Sequence, residues 1–254
     1  MDWRAFLLLA GAGVLGGIIN ALAGGATLIT FPVMLAVGLP PVIANASNAV
    51  AIAPGHLLAT LADRRKLPRF GMRLVWLGLA AGLGGAAGAI ILLALPPRLF
   101  ILPVPALIAF ATLLFAFAPS IQAWSRRSPR GLVSSSDTRG GLLIAVASVY
   151  GGFFGAGLGV ILTAVVSITD PGDIRTIKVL KNLLASFVSI AAIIIFVAKG
   201  MVQWRETIYM LIGALLGGYL GGHLIRVLPA VVVRWFVLVA GTVMTAIYAA
   251  QYWF

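Results

Sequence analysis

The chain has no cysteine, six acidic residues and two histidines among 254 residues. Absence of cysteine removes disulfides, thiolate metal sites and any thiol relay. No His-Glu-x-x-His or Gly-x-Ser-x-Gly sequence occurs, so neither an enzyme nor a metal or cofactor site is expected. A Walker A sequence is missing too, so uphill work would need an ion gradient or a partner ATPase. Charge is scarce as a whole. Only 9% of residues are charged, whereas a soluble domain carries about a quarter. Such a chain cannot wet its own surface, and lipid must surround most of it.

What is present is apolar: 61% of residues are hydrophobic and the mean hydropathy is +1.10. The charge-free runs are 5–62, 74–97, 99–125, 140–169, 182–198, 207–225 and 235–254. A bilayer core about 30 Å thick takes roughly 20 helical residues. The first run therefore holds two spans. About eight are expected in all, near 4–24, 42–62, 71–95, 99–119, 141–167, 173–198, 206–226 and 232–252. A strand barrel is excluded, because its apolar residues alternate and these runs are apolar on every face. No signal-peptide cleavage pattern follows Phe6–Ala10, so the first segment reads as a retained span. The expected class is an all-α polytopic membrane protein.

The net charge of +12 could suggest nucleic acid, but its placement argues against that partner. With eight spans, twelve Lys/Arg fall on one side, including Arg64, Arg65, Lys66, Arg126, Arg127 and Lys199. Six fall on the other: Arg98, Arg175, Lys178, Lys181, Arg226 and Arg234. The positive-inside rule then puts both termini in the cytoplasm of a bacterial inner-membrane protein, with anionic lipids as partners.

The chain also repeats itself. Gly16-Gly17 matches Gly151-Gly152, Asn48 matches Asn182, Gly84-Gly85 matches Gly217-Gly218, and Leu95-Pro96 matches Leu228-Pro229, at offsets of 133 to 135. Two four-helix halves, 1–119 and 140–254, are joined by a Ser- and Arg-rich linker, 120–139. Four spans per half give a parallel repeat, and a re-entrant segment would invert it.

Two regions break the helical pattern at matching places. They are Asn20-Ala-Leu-Ala-Gly24-Gly25-Ala-Thr27, followed by Gly38-Leu-Pro40-Pro41, and Gly151-Gly152-Phe-Phe-Gly155-Ala-Gly157. Between the first pair lies a segment too short to span. Unwound backbone at membrane depth survives only where protein or a wet cavity satisfies it, and paired interruptions mark a binding site. A half-helix starting after Gly25 would aim free N–H groups at an anion. The four-residue glycine spacings, such as Gly13/Gly17 and Gly213/Gly217/Gly221, read first as tight helix packing.

Polar residues inside spans form two stripes. Asn45, Asn48 and His56 share one face, with Ser47 adjacent; Lys178, Lys181, Asn182, Ser186 and Ser189 form the other. Unpaired buried amides are costly, so the stripes should face each other or a cavity. Lys178 competes between a site and snorkelling, Lys181 ranks below it, and both His56 and His223 read as packing. Asp170 and Asp173 read as helix caps in an outer loop.

These stretches resemble the TauE/SafE sulfite exporter family. The resemblance rests on Gly16–Gly25, Gly38–Pro41, Ala44–Gly55, Tyr150–Gly157 and Lys178–Ser186, and covers essentially the whole chain. Ala26 and Ser47 depart from the family's common glycine and threonine. The resemblance implies movement of small sulfur-containing anions, usually as efflux. It marks Asn20, Gly24, Gly25, Asn45, Ser47, Asn48, Tyr150, Gly152, Lys178 and Asn182 as motif residues, and Thr27 joins them from the half-helix argument. The expected partner is a small anion held in a central cleft between two rocking halves. A passive channel and a non-transporting scaffold are the alternatives, and a homodimer is left open.

Overall fold

The computed structural model describes residues 3–22, 24–67, 71–127, 138–169, 174–224 and 230–254. Among them are eleven α-helices, a 3-10 turn at Arg64–Lys66 and no strand. The helices are α1 (Trp3–Leu22), α2 (Thr27–Ala36), α3 (Pro41–Ala62), α4 (Met72–Ala94), α5 (Pro97–Ile101) and α6 (Val104–Arg127). They continue as α7 (Thr138–Phe153), α8 (Leu158–Thr169), α9 (Ile174–Ala198), α10 (Trp204–Leu224) and α11 (Ala230–Trp253). Six are long and apolar enough to cross a bilayer by length and composition, and the protein is a polytopic helical membrane protein. Asp170, Asp173 and residues 128–137 of the linker lie outside the described residues, as does the side chain of His223.

Glycine sets the two breaks. Gly24 takes φ of 78°, and its N–H donates to the Ile19 carbonyl five residues back. Gly155, at φ 77°, makes the same bond to Tyr150. This is the cap that ends a helix and turns the chain, and a side chain at positive φ would strain it. The chain reverses after both caps. Gly16 of α1 faces Thr30 of α2, and Gly151 of α7 faces Leu158 of α8. The expected single span 141–167 is thus a hairpin, α7–α8, and 4–36 is its counterpart, α1–α2.

Both hairpins turn back at their tips, which is the re-entrant alternative to the parallel repeat. With each hairpin returning to the face it left, α3, α4 and α6 remain in the first half and α9, α10 and α11 in the second, an odd number each, so the halves run in opposite directions. The 199–203 loop meets the start of α3, where the Gln203 N–H donates to Ser47 Oγ at 2.9 Å. Its counterpart, the turn after α3, packs on α9 at the opposite end. The start of α1, the 37–40 link, the α4–α6 connection, the α9–α10 loop and the C-terminal end of α11 share one face. Trp253 Nε1 donates to the Leu102 carbonyl at that face, at 2.8 Å.

Nor are the halves two separate bundles. The most extensive packing joins α1 to α10 and α4 to α7, each a partnership between halves. Both seams are built on glycine. A methyl group on Gly13 or Gly17 would strike the carbonyls of Met210 or Ala214, and one on Gly213 or Gly217 those of Ala10 or Val14. Across the other seam, Gly84, Gly88 and Gly152 meet the backbone of Ala145, Val149 and Gly85. Small residues let backbones touch where lipid offers no hydrophobic drive for association. α3 and α9, one from each half, also pack against each other.

The outer surface is apolar, with Leu8, Leu83, Ile194, Leu216 and Val239 among many exposed side chains. All six tryptophans are exposed. Trp3, Trp204 and Trp253 ring the terminal face; Trp76, Trp124 and Trp235 ring the other. Such belts sit at headgroup level.

Candidate functional site

The site arises where the two hairpin tips meet. The Gly24 carbonyl oxygen lies 3.4 Å from where a methyl group on Gly159 would stand. Phe31 of α2 and Phe154 of the second tip stack edge to face at 5.2 Å. α6 packs against both tips, with Phe115 against Gly25, and Leu114 and Ala111 against Gly157. The N-termini of α2 and α8 therefore both end in the protein interior. Leu28 and Ile29 donate to the Gly25 and Ala26 carbonyls and Leu158 and Val160 to those of Gly155 and Gly157, and each helix start carries a partial positive charge.

α3 and α9 flank the tips. Asn45 Nδ2 donates to the Phe153 carbonyl at 3.0 Å and thereby fixes the end of α7. One turn later, Asn48 is 1% exposed and its Oδ1 has no hydrogen-bond partner. It lines a hollow of about 30 Å³ together with Thr27, His56, Gly152, Gly155 and Ser189. That volume admits a water molecule or two, not an oxyanion. The site must open to accept anything larger.

The structure sorts the expected residues. Thr27, Asn45, Asn48 and Gly152 come together around the hollow. Gly24 and Gly25 form the first tip beside it. Ser47 is fully buried but turned to the α9–α10 loop, where its hydroxyl receives Gln203. The Tyr150 hydroxyl donates to the Ala156 carbonyl at 2.6 Å and closes the second tip from outside the hollow. Asn20 places its amide against Gly55 of α3. Asn182 is half-buried, outside the lining; its backbone carbonyl accepts the Ser186 hydroxyl at 2.9 Å.

The lysines reverse their expected order. Lys178 is exposed on the outside of α9. Lys181 Nζ instead lies 3.9 Å and 3.8 Å from the positions a methyl group on Gly24 or Gly159 would occupy, between the two tips. Two residues thus matter more than the sequence suggested, and both left a signal. Lys181 is the repeat partner of the buried Ser47, and His56 lies eight residues beyond Asn48, on the same helical face. No Asp or Glu lines the hollow among the described residues.

The chain has relatives among known membrane proteins. The chain is 29% identical over 240 residues to a probable membrane transporter protein of Haemophilus influenzae, covering 92% of this chain and 90% of that protein. It is 25% identical over 235 residues to the probable membrane transporter protein YfcA of Escherichia coli K12, covering 92% and 85%. A probable membrane transporter protein, ORF9, of a Sinorhizobium species is 26% identical over 224 residues, covering 86% and 82%. No solved structure matches. The family model described as sulfite exporter TauE/SafE matches residues 9–248, from the first turns of α1 to the last of α11, and the chain belongs to that family.

Proposed function

We propose that the protein is a secondary transporter of small sulfur oxyanions, sulfite or a sulfonate, across the bacterial cytoplasmic membrane, working as an exporter. The observation that carries this reading is the convergence of two half-helix N-termini beside Lys181, with no carboxylate lining the hollow among the described residues. Paired broken helices whose N-termini meet at mid-membrane suit an anionic group. In this reading Lys181 supplies the compensating charge, as a hydrated point charge matched to a pyramidal or tetrahedral oxyanion. The Asn48 amide and the Thr27 backbone add hydrogen bonds. The names borne by the family and by its relatives agree with transport.

Alternating access fits the closed hollow and the inverted halves. Rocking along the α1–α10 and α4–α7 seams would open the site to one face and then the other, and smooth glycine surfaces permit such sliding.

The inverted fold also reverses the expected orientation. Among the described residues, Arg64, Arg65, Lys66, Arg73, Arg126, Arg127, Arg139, Arg175, Lys178 and Arg234 cluster at or near one face. Arg4, Arg98, Lys199 and Arg205 mark the terminal face. By the positive-inside rule the first face is cytoplasmic and contacts anionic lipid, so both termini lie outside.

The decisive measurement is sulfite flux in proteoliposomes. Lys181→Gln should lower saturable flux at least about tenfold, the scale of a charge-assisted hydrogen bond, while Lys178→Gln stays near the parent. Equal flux from the parent and Lys181→Gln, at equal incorporation, would remove the site from this mechanism.

A further inference from the structure

The site holds a second group able to carry positive charge. His56 lines the same hollow as Asn48, two turns further along α3, with Ile52 between them on that face. Its ring is half-buried. Imidazole is the side chain whose unperturbed charge change lies nearest neutral pH.

Its surroundings lack the partner that would hold a charged imidazole in place. From α9 the hollow is lined by Ser189, with Lys181, which carries charge of like sign, two turns earlier on that helix between the tips. Lys178, one turn earlier, is turned outward. From α1 the neighbour is the Asn20 amide, placed at Gly55. From α2 it is Thr27, and from the α7–α8 hairpin it is backbone around Gly151–Gly155. Tyr150 is engaged with the Ala156 carbonyl. No carboxylate from any described element lines this hollow.

Two like charges in a low-dielectric cleft repel one another, and an anion bound between them turns that repulsion into two attractions. A doubly charged oxyanion is only half compensated by Lys181. On this basis, and resting on the anion site proposed above, we infer that anion binding draws one proton from the open face onto the His56 imidazole, so that anion and proton cross together. A doubly charged anion then leaves with one net negative charge, so export is driven by the interior-negative membrane potential and opposed by an inward proton gradient. The transported unit is the anion plus one proton, and the imidazole returns neutral when both leave.

The test uses the purified full chain and sodium sulfate, whose double charge stays fixed across the imidazole range of about pH 5 to 8. Binding is measured by calorimetry in buffers of differing ionisation enthalpy, which counts protons taken up. Near neutral pH, uptake should approach about one proton per anion, and affinity should fall toward about tenfold per pH unit as pH rises through the imidazole range. The same experiment on His56→Gln should show no uptake and a flat pH profile. Uptake by the parent of zero, or uptake undiminished in His56→Gln, overturns the proton linkage while leaving the anion site standing. If His56→Gln does not fold, the proton count of the parent decides. If neither sulfate nor sulfite, methanesulfonate, thiosulfate or taurine binds at any pH, the transport reading falls and the linkage falls with it.

Discussion

At the scale of single residues, the two asparagines of α3 make opposite demands. Asn45 gives its amide to the Phe153 carbonyl, so Asn45→Ala leaves a buried acceptor unpaired. That loss costs about 1–3 kcal/mol, and thermal unfolding should register it. Asn48 has an unpartnered buried oxygen, so truncating it removes a cost rather than a bond. Asn48→Ala should therefore hold or raise the melting temperature while weakening sulfite binding about tenfold, or about 1.4 kcal/mol. A fall in stability without a change in binding would make Asn48 a packing residue. Both asparagines were visible in the sequence as one stripe. Which of them was already engaged depended on Phe153, a residue 108 positions away. The same holds for Lys178 and Lys181, which stand one turn apart on one helix. Only the rotation of α9 against the hairpin tips decides which of them reaches Gly24 and Gly159.

At the scale of elements, the seams make a sharper claim than the glycine spacing did. Gly17 and Gly82 both sit within helices. A methyl group on Gly17 would collide with the Ala214 carbonyl, whereas one on Gly82 meets nothing within 4 Å. Gly17→Ala should destabilise the fold by about 1–3 kcal/mol, as overpacking does. Gly82→Ala should be neutral or slightly stabilising, since alanine favours helix by up to about 1 kcal/mol. Equal melting curves for the two variants in detergent would mean that α1 and α10 are not in backbone contact. The spacing alone could not separate these positions, because Gly78/Gly82 follows the same four-residue rule as Gly13/Gly17. The hairpins were half legible. The glycine-rich breaks stood out, but a stretch as apolar as 141–167 gives no sign by hydropathy of whether it crosses or turns back.

At the scale of the molecule, orientation is the quantity most exposed to test. A periplasmically active phosphatase fused after Phe254 should be active and a cytoplasmic fluorescent reporter at that site dark; insertion near Arg64–Lys66 should give the reverse. Fluorescence from the fusion at Phe254 would return the termini to the cytoplasm, and the same reporter bright at both sites would undo the inverted arrangement. The amino-acid sequence by itself determined the membrane class, the duplication and the places where helices break. Each of these follows from local composition: charge spacing, a constant offset, and glycine where chain must turn. Whether α2 and α8 cross or return, how the halves interlock, and which cation meets the tips were decided only by tertiary packing. Those outcomes depend on contacts between residues more than a hundred positions apart, and no periodicity within one helix encodes its neighbour's rotation or direction.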